Sequence, residues 1–301
     1  IKLIACGTSY HSALVGKYWI EMLSGIPCDV EVASEYRYRN PVVSRGSLFM
    51  TISQSGETAD TLAALDLSKA MGYIETVSIS NVPTSSLARL SNIKILTRAG
   101  HEVGVASTKG FTTQLMALLL FALRLSELRG RVRRNQLDQV LSSLSTIQQL
   151  ADEILLKEPL LMSWGRRMAD YNHAIFLGRG TMYPIALEAA LKLKETSYMQ
   201  VDAYPAGELK HGPLALVDET MPVVALLPAN HLTHKMNSNL QEVAARGGQL
   251  FIIADERVAL EEGDWAHIIR MPVMDDLMAP ILYSIPVQLM AYHAALAMGH
   301  D

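Results

Sequence analysis

Two copies of one pattern, about 173 residues apart, constrain this chain more than any other feature of it. In the first copy an apolar run, Lys2 to Ala5, ends in Cys6, Gly7, Thr8 and Ser9 and opens into a helical pattern that lasts to about Ser24. In the second, Ala174 to Leu177 ends in Gly178, Arg179, Gly180 and Thr181 before a helix from Pro184 to about Tyr198. Thr8 falls against Thr181 and Glu35 against Glu208 at an offset of 173, and Asn81 against Asp255 at 174. A repeat of that period within 301 residues predicts two copies of one domain, not one large domain.

Strand and helix alternate inside each copy. Asp29 to Ala33, Leu48 to Ile52, Thr76 to Ser80 and Ile93 to Leu96 read as strands, with helices over Ala59 to Met71 and Thr112 to Leu128 and a loop over Arg37 to Arg45. Val223 to Leu227, Leu250 to Ala254 and Ile268 to Met271 supply the second sheet, and Pro280 to Met298 a closing helix. Hydrophobic residues make up 50% of the chain and charged residues 19%, as expected where parallel strands are covered on both faces. The predicted fold is α/β, with a parallel sheet flanked by helices in each copy. We expect a first domain over 1–135, a helical connector over 136–170 and a second domain over 171–301.

Charge and composition exclude several classes of function. A net charge of −4 offers nucleic acid no basic field, and the Arg129 to Arg134 cluster reads as a solvated turn. Leu115 to Leu123 is about half the length of a membrane span. Cys6 and Cys28 are too few for a disulfide framework, no metal-ligand spacing occurs, and a reducing cytoplasm is expected. The chain begins within a strand and without Met, so we expect a piece of a longer polypeptide.

The stretch from Ser47 to Thr61 carries the first chemical signal. Leu48 to Ile52 run into Ser53, Gln54, Ser55, Gly56, Glu57 and Thr58 just before a helix. Such a turn gathers hydroxyls, unpaired N–H groups and the positive end of a helix dipole, which suits an anion such as phosphate. A Ser-capped helix without a ligand is the other reading. At the corresponding place the second copy has Leu226, Leu227 and Pro228, without hydroxyls. A second loop rich in Gly, Ser and Thr, Gly100 to Gly110, also opens a helix.

Further candidates lie in the second copy. Glu188, Lys192 and Glu195 stand at i, i+4 and i+7 and share a helix face. They read either as a solvent-exposed ion-pair ladder or, because Leu187, Leu191, Leu193 and Tyr198 spread apolar residues round the helix, as a buried proton-shuttling group. Glu208, Lys210 and His211 sit in AYPAGELKHGPLALV, Ala203 to Val217, either as charges on a surface loop or as a general acid and base held in a rigid turn.

ACGTSY, SQSGETADT, GVASTKGFTTQ, GRGTMYPIALEAALKLKE and AGELKHGPLALV, in this order, resemble the isomerase part of the glucosamine-6-phosphate synthases. The resemblance covers essentially the whole chain. It implies two flavodoxin-like sugar isomerase (SIS) domains, a homodimer, no cofactor, and conversion of fructose 6-phosphate to glucosamine 6-phosphate. By motif, Ser53, Gln54, Ser55 and Thr58 would hold phosphate, and Thr8, Ser9, Val105 and Ser107 would contact the sugar. Glu195 would move a proton between C1 and C2, His211 would open the ring and, in the dimer, serve the neighbouring subunit's site, and Glu188 and Lys192 would line the same site. The family's glutaminase domain has no counterpart here, and the chain stops before the family's terminal tail with its imine-forming Lys, so binding is expected and full amination is not. The alternatives are a non-catalytic sugar-phosphate sensor, or a deglycase or isomerase of another sugar phosphate.

Overall fold

Each copy of the repeat folds as a five-stranded, all-parallel sheet. In the computed structural model, which describes residues 1–260, 263 and 265–300, the chain divides into two units, Ile1–Gln139 and Val140–Asp301. The first unit holds β1 (Lys2–Ala5), β2 (Asp29–Val32), β3 (Leu48–Ser53), β4 (Glu75–Ser80) and β5 (Ile93–Leu96), in the order β2-β1-β3-β4-β5. The second holds β6 (His173–Gly178), β7 (Gln200–Pro205), β8 (Pro222–Leu227), β9 (Gln249–Asp255) and β10 (Ala266–Met271), in the order β7-β6-β8-β9-β10. Strand for strand the order is the same, and it is that of a flavodoxin-like doubly wound sheet. In such sheets ligands bind at the C-terminal strand ends where the order reverses, here between β1 and β3 and between β6 and β8.

Register refines the repeat. Lys2 pairs with Phe49, and its counterpart Ile175 pairs with Val223, so the offset grows from 173 at β1 to 174 at β3. Ser53 therefore corresponds to Leu227, one residue later than a constant offset places it. Gln54 and Ser55 then meet Pro228 and Ala229, so the second copy still lacks the hydroxyls.

The first unit's helices are α1 (Gly7–Trp19), α2 (Ala33–Tyr36), α3 (Ala59–Lys69), α4 (Ser86–Leu90) and α5 (Lys109–Leu128), and α6 (Arg134–Leu144) spans the division. A π-helical turn, Ile20–Ser24, extends α1. Ala33, expected at the end of a strand, instead begins α2. By length and composition alone α5 could cross a membrane. Its Phe111, Leu115, Leu118, Leu119 and Leu123 are buried where it packs on α1, which is the behaviour of a core helix.

The second unit holds α7 (Ile147–Leu155), α8 (Glu158–Met168), α9 (Met182–Ser197), α10 (Thr233–Ala244) and α11 (Ala279–Ala297). Within the stretch read as a connector, α7 and α8 pack against α11, and α11 also covers α9. β8 is buried along its whole length, between sheet neighbours β6 and β9. Strand β7 is a correction: Ala203, Tyr204 and Pro205, read as loop, finish an edge strand that pairs in register with β6. The rest of that stretch forms two short 3-10 turns, Ala206–His211 and Pro213–Leu216.

Candidate active site

β3 delivers Ser53 to the end of the first sheet at its reversal point, and the turn into α3 is built from its own side chains. Gly56, at φ 68°, makes the turn: its N–H donates to Ser53 Oγ at 3.1 Å, and its carbonyl accepts from the Leu87 N–H at 3.1 Å. A Cβ at this position would overlap the Ser85 side chain. The Glu57 N–H donates to Ser55 Oγ at 3.1 Å, and the Glu57 carboxylate accepts the Ser86 N–H at 2.7 Å. That backbone donor holds the Glu57 carboxyl below its ordinary pKa. Ser53 Oγ and Thr58 Oγ1 are hydrogen-bonded at 3.0 Å. Thr58 is the N-cap of α3 but its hydroxyl makes no cap bond, so the helix start keeps donors for a ligand.

These groups wall a pocket of about 210 Å³. Seven of the eight residues expected to bind ligand line it: Thr8, Ser9, Ser53, Gln54, Ser55, Thr58 and Ser107, together with Cys6. Val105, the eighth, is fully exposed and stands outside the wall. Behind Ser9 lies the buried Gln114 of α5, whose Nε2 donates to Ser9 Oγ at 2.9 Å. Behind Ser107 lies Glu102, whose carboxylate accepts from Ser107 Oγ at 3.1 Å and from the N–H groups of Thr108 and Gly110 at 2.8 and 3.0 Å. Sequence reasoning missed Cys6, Gln114 and Glu102. An acidic residue in a Gly-rich loop just ahead of a helix was a readable signal for Glu102, since a carboxylate there satisfies the first-turn N–H groups.

At the matching turn of the second unit the cavity has shrunk to about 10 Å³, lined by Arg179, Leu226, Leu227, Pro228 and Leu232 among others. Leu226, Leu227, Pro228, Leu232 and Met236 stand around it together with Arg179, Asn230 and Thr233.

The second unit carries the charged candidates on α9. Lys192 Nζ lies 2.7 Å from Glu195 Oε2 and 3.6 Å from Glu188 Oε1. The Glu188 side chain is 0% exposed and that of Lys192 3%, whereas Glu195 keeps 39%. A solvent-exposed ladder is therefore excluded for the first two, and the row runs from a buried carboxylate, through a buried ammonium, to a carboxylate that meets solvent. His211 ends the turn Ala206–His211, and its Nδ1 lies 2.7 Å from Glu208 Oε2, with both side chains exposed. A carboxylate accepts, so Nδ1 is the donor in this pair. Lys210 points to Glu242, at 2.9 Å, and takes no part in that pair.

A sequence profile of the SIS domain matches residues 1–124 and 167–298. The chain belongs to the SIS domain family. Over all 301 residues it is 52% identical to the glutamine–fructose-6-phosphate aminotransferase (isomerizing) of Escherichia coli strain K12, of which it spans 49%. The C-terminal domain of glucosamine-fructose-6-phosphate aminotransferase from Francisella tularensis matches with a TM-score of 0.97 at 48% identity, over 100% of this chain and 84% of that one. Tagatose-6-phosphate ketose/aldose isomerase from Escherichia coli shares the fold, with a TM-score of 0.79 at 20% identity over 99% of this chain and 82% of that one. Among the described residues, the turn after β3 lines a pocket of about 210 Å³ and the matching turn after β8 one of about 10 Å³.

Proposed function

We propose that this chain is the sugar-isomerase portion of a glutamine–fructose-6-phosphate aminotransferase: it binds fructose 6-phosphate and moves the proton between C1 and C2, and full-rate formation of glucosamine 6-phosphate from ammonia belongs to longer relatives. The observation that carries the reading is the hydroxyl-lined pocket at the β3–α3 turn, with no Lys or Arg in its wall. Such a pocket anchors a phosphate through O–H and N–H donors and a helix start, leaving the rest of the ligand to the neighbouring loops.

Ser53, Gln54, Ser55 and Thr58 hold the phosphate in this proposal, and Thr8, Ser9 and Ser107 take the sugar; Val105, outside the wall, is left to a backbone contact. His211, oriented by Glu208, moves the proton that opens the ring. On the open sugar Glu195 removes a proton from C1 as O2 takes one, giving an enediol, and the same carboxylate returns the proton at C2 as O1 gives one up; where ammonia has replaced O2, which leaves as water, the nitrogen takes the part of O2 in that transfer. Lys192, bonded to Glu195, holds that carboxylate in place, and Glu188 balances Lys192 in the interior. The working form is a cytoplasmic homodimer, in keeping with the sequence resemblance. The use of glutamine as ammonia source extends the proposal to the whole-length relatives, of which this chain spans about half.

Incubation of the protein with fructose 6-phosphate in deuterated water tests the assignment. Solvent deuterium is expected in the recovered sugar phosphate at the carbons that exchange protons. Glu195→Gln is expected to abolish that exchange while leaving binding intact. Binding without exchange in the parent protein would instead support a sugar-phosphate sensor.

A further inference from the structure

The pocket hydroxyls are not equivalent, because the group behind each one decides whether a proton or a lone pair is left for a ligand. Ser55 Oγ accepts the Glu57 N–H, so its own proton remains to be given. Ser53 Oγ accepts the Gly56 N–H and shares one hydrogen bond with Thr58 Oγ1. Whichever of the two donates in that bond, one O–H of the pair is left over. This side of the pocket therefore presents protons, as phosphate oxygens require.

Ser107 is the opposite case. Its Oγ lies 3.1 Å from Glu102 Oε2, and a carboxylate has no proton to give, so Ser107 must donate backwards. Lone pairs are what remain at its Oγ. We propose that Glu102 is a positioning residue that makes Ser107 a hydrogen-bond acceptor, so that this part of the pocket selects a hydroxyl of the sugar and distinguishes a sugar phosphate from phosphate alone.

The carboxylate is held where this requires. Its Oε1 takes the N–H groups of Thr108 and Gly110 at the start of α5, where the helix dipole favours negative charge. Its Oε2 is thereby aimed at Ser107. Position 110 has to be Gly for this packing, since a Cβ there would lie 2.6 Å from Glu102 Oε2 and 2.7 Å from Ser107 Oγ. The inference rests on the functional reading above, in that it takes a sugar phosphate as the ligand.

Glu102→Gln tests it without removing the side chain. The two backbone N–H groups hold the amide oxygen in the place of Oε1, so the amide NH2 replaces Oε2 and donates to Ser107. The Ser107 proton then turns toward the pocket and its polarity is reversed. Calorimetric titration with inorganic phosphate and with fructose 6-phosphate is the measurement. In Glu102→Gln, phosphate affinity is expected to stay within about twofold of the parent, while fructose 6-phosphate weakens about tenfold. Ser107→Ala is expected to show the same selective loss, and the double variant no more than either single one. Unchanged fructose 6-phosphate binding in Ser107→Ala overturns the proposal, and that variant decides alone should Glu102→Gln not fold. Equal weakening of both ligands in Glu102→Gln also overturns it, because Glu102 would then only hold the loop. A parent protein that binds fructose 6-phosphate no better than phosphate overturns both the inference and the functional reading beneath it.

Discussion

Replacing Lys192 by Met isolates the electrostatics of α9, because Met keeps much of the apolar stem and removes only the ammonium. The structure sets the scale. Lys192 and Glu188 are 3% and 0% exposed, 3.6 Å apart, so the change leaves a fully buried carboxylate without its cation. Breaking a buried pair from one side costs about 3–5 kcal/mol. A loss of about 3 kcal/mol is the least expected here. In a unit of this size that corresponds to a fall in melting temperature of roughly 6–12 °C. Glu195 is 39% exposed, and Glu195→Gln should cost no more than about 1 kcal/mol, because solvent screens the pair. Urea unfolding followed by circular dichroism, with exchange activity on the same samples, separates the two. Glu195→Gln is expected to keep stability and lose activity, and Lys192→Met to lose both. A Lys192→Met protein within about 1 kcal/mol of the parent, the scale of a surface pair, would refute the claim that Lys192 balances an interior charge. Equal losses in the two variants would show that the 2.7 Å bond to Glu195, not burial beside Glu188, is what matters.

Three further outcomes are expected. Gly56→Ala forces a side chain at φ 68° into the space of Ser85, so it should destabilise the first unit by about 2 kcal/mol or more and abolish phosphate binding by calorimetry. Burial and the nearby Arg167 hold the His267 imidazole below its ordinary pKa, so the unfolded chain takes up that proton first as pH falls; this contribution to stability is complete above about pH 6.5 and declines below it, and a His267→Gln protein whose melting temperature shows the same slope from about pH 7 to 5 would refute the assignment. Gly7 and Gly180 occupy matching turns at φ 53° and 55°, so Ala at either should cost about 1–2 kcal/mol in thermal melts; only Gly7→Ala, whose Cβ enters open space between the pocket residues Cys6 and Thr8, should also weaken phosphate binding, whereas that of Gly180→Ala meets Leu232 at 3.0 Å.

What could be read from the sequence followed from how local the determining interactions are. The central strands β3 and β8 are continuous apolar runs because both faces are covered, so LFMTI and VVALL were legible at once. Edge strand β7, QVDAYP, is partly exposed and mixes polar residues with a Pro, and only its pairing with β6 makes it a strand. The cradle was legible because Ser53, Gln54, Ser55 and Thr58 lie in one short turn. The burial of Glu188 and Lys192 was open to inference because α9 shows no clean apolar stripe, although nothing local says that Glu195 alone reaches solvent. Glu102 was only half legible: an acidic residue ahead of a helix is readable as a partner for first-turn N–H groups, but its contact with Ser107 exists only once the loop folds back to place residues 107–110 against it. The one-residue slip between copies is likewise a property of strand pairing, which sequence alignment by a constant offset cannot see.

Duplication explains why so different a pair of sites can share one frame. Asn81 follows β4, and its Oδ1 takes the Ala99 N–H at 2.7 Å while its Nδ2 reaches the Gly100 carbonyl at 2.8 Å. Its counterpart Asp255, at the end of β9, holds Arg257 at 2.6 and 2.8 Å, and Arg257 reaches the Met274 carbonyl at 3.1 Å. In both copies, then, a polar side chain at one corner of the sheet pins the chain that leaves the next strand, by a direct amide bond in one and through a guanidinium in the other. The frame is thus independent of what fills the neighbouring turn. In the first copy Ser53, Ser55 and Thr58 pair locally and still line a pocket, which forgoes apolar packing at the sheet end. In the second, Leu227, Pro228 and Leu232 close the same space and gain the packing that the first copy gives up. The second unit instead gathers its charged candidates on α9, with Lys192 between Glu188 and Glu195, and at the turn that pairs His211 with Glu208.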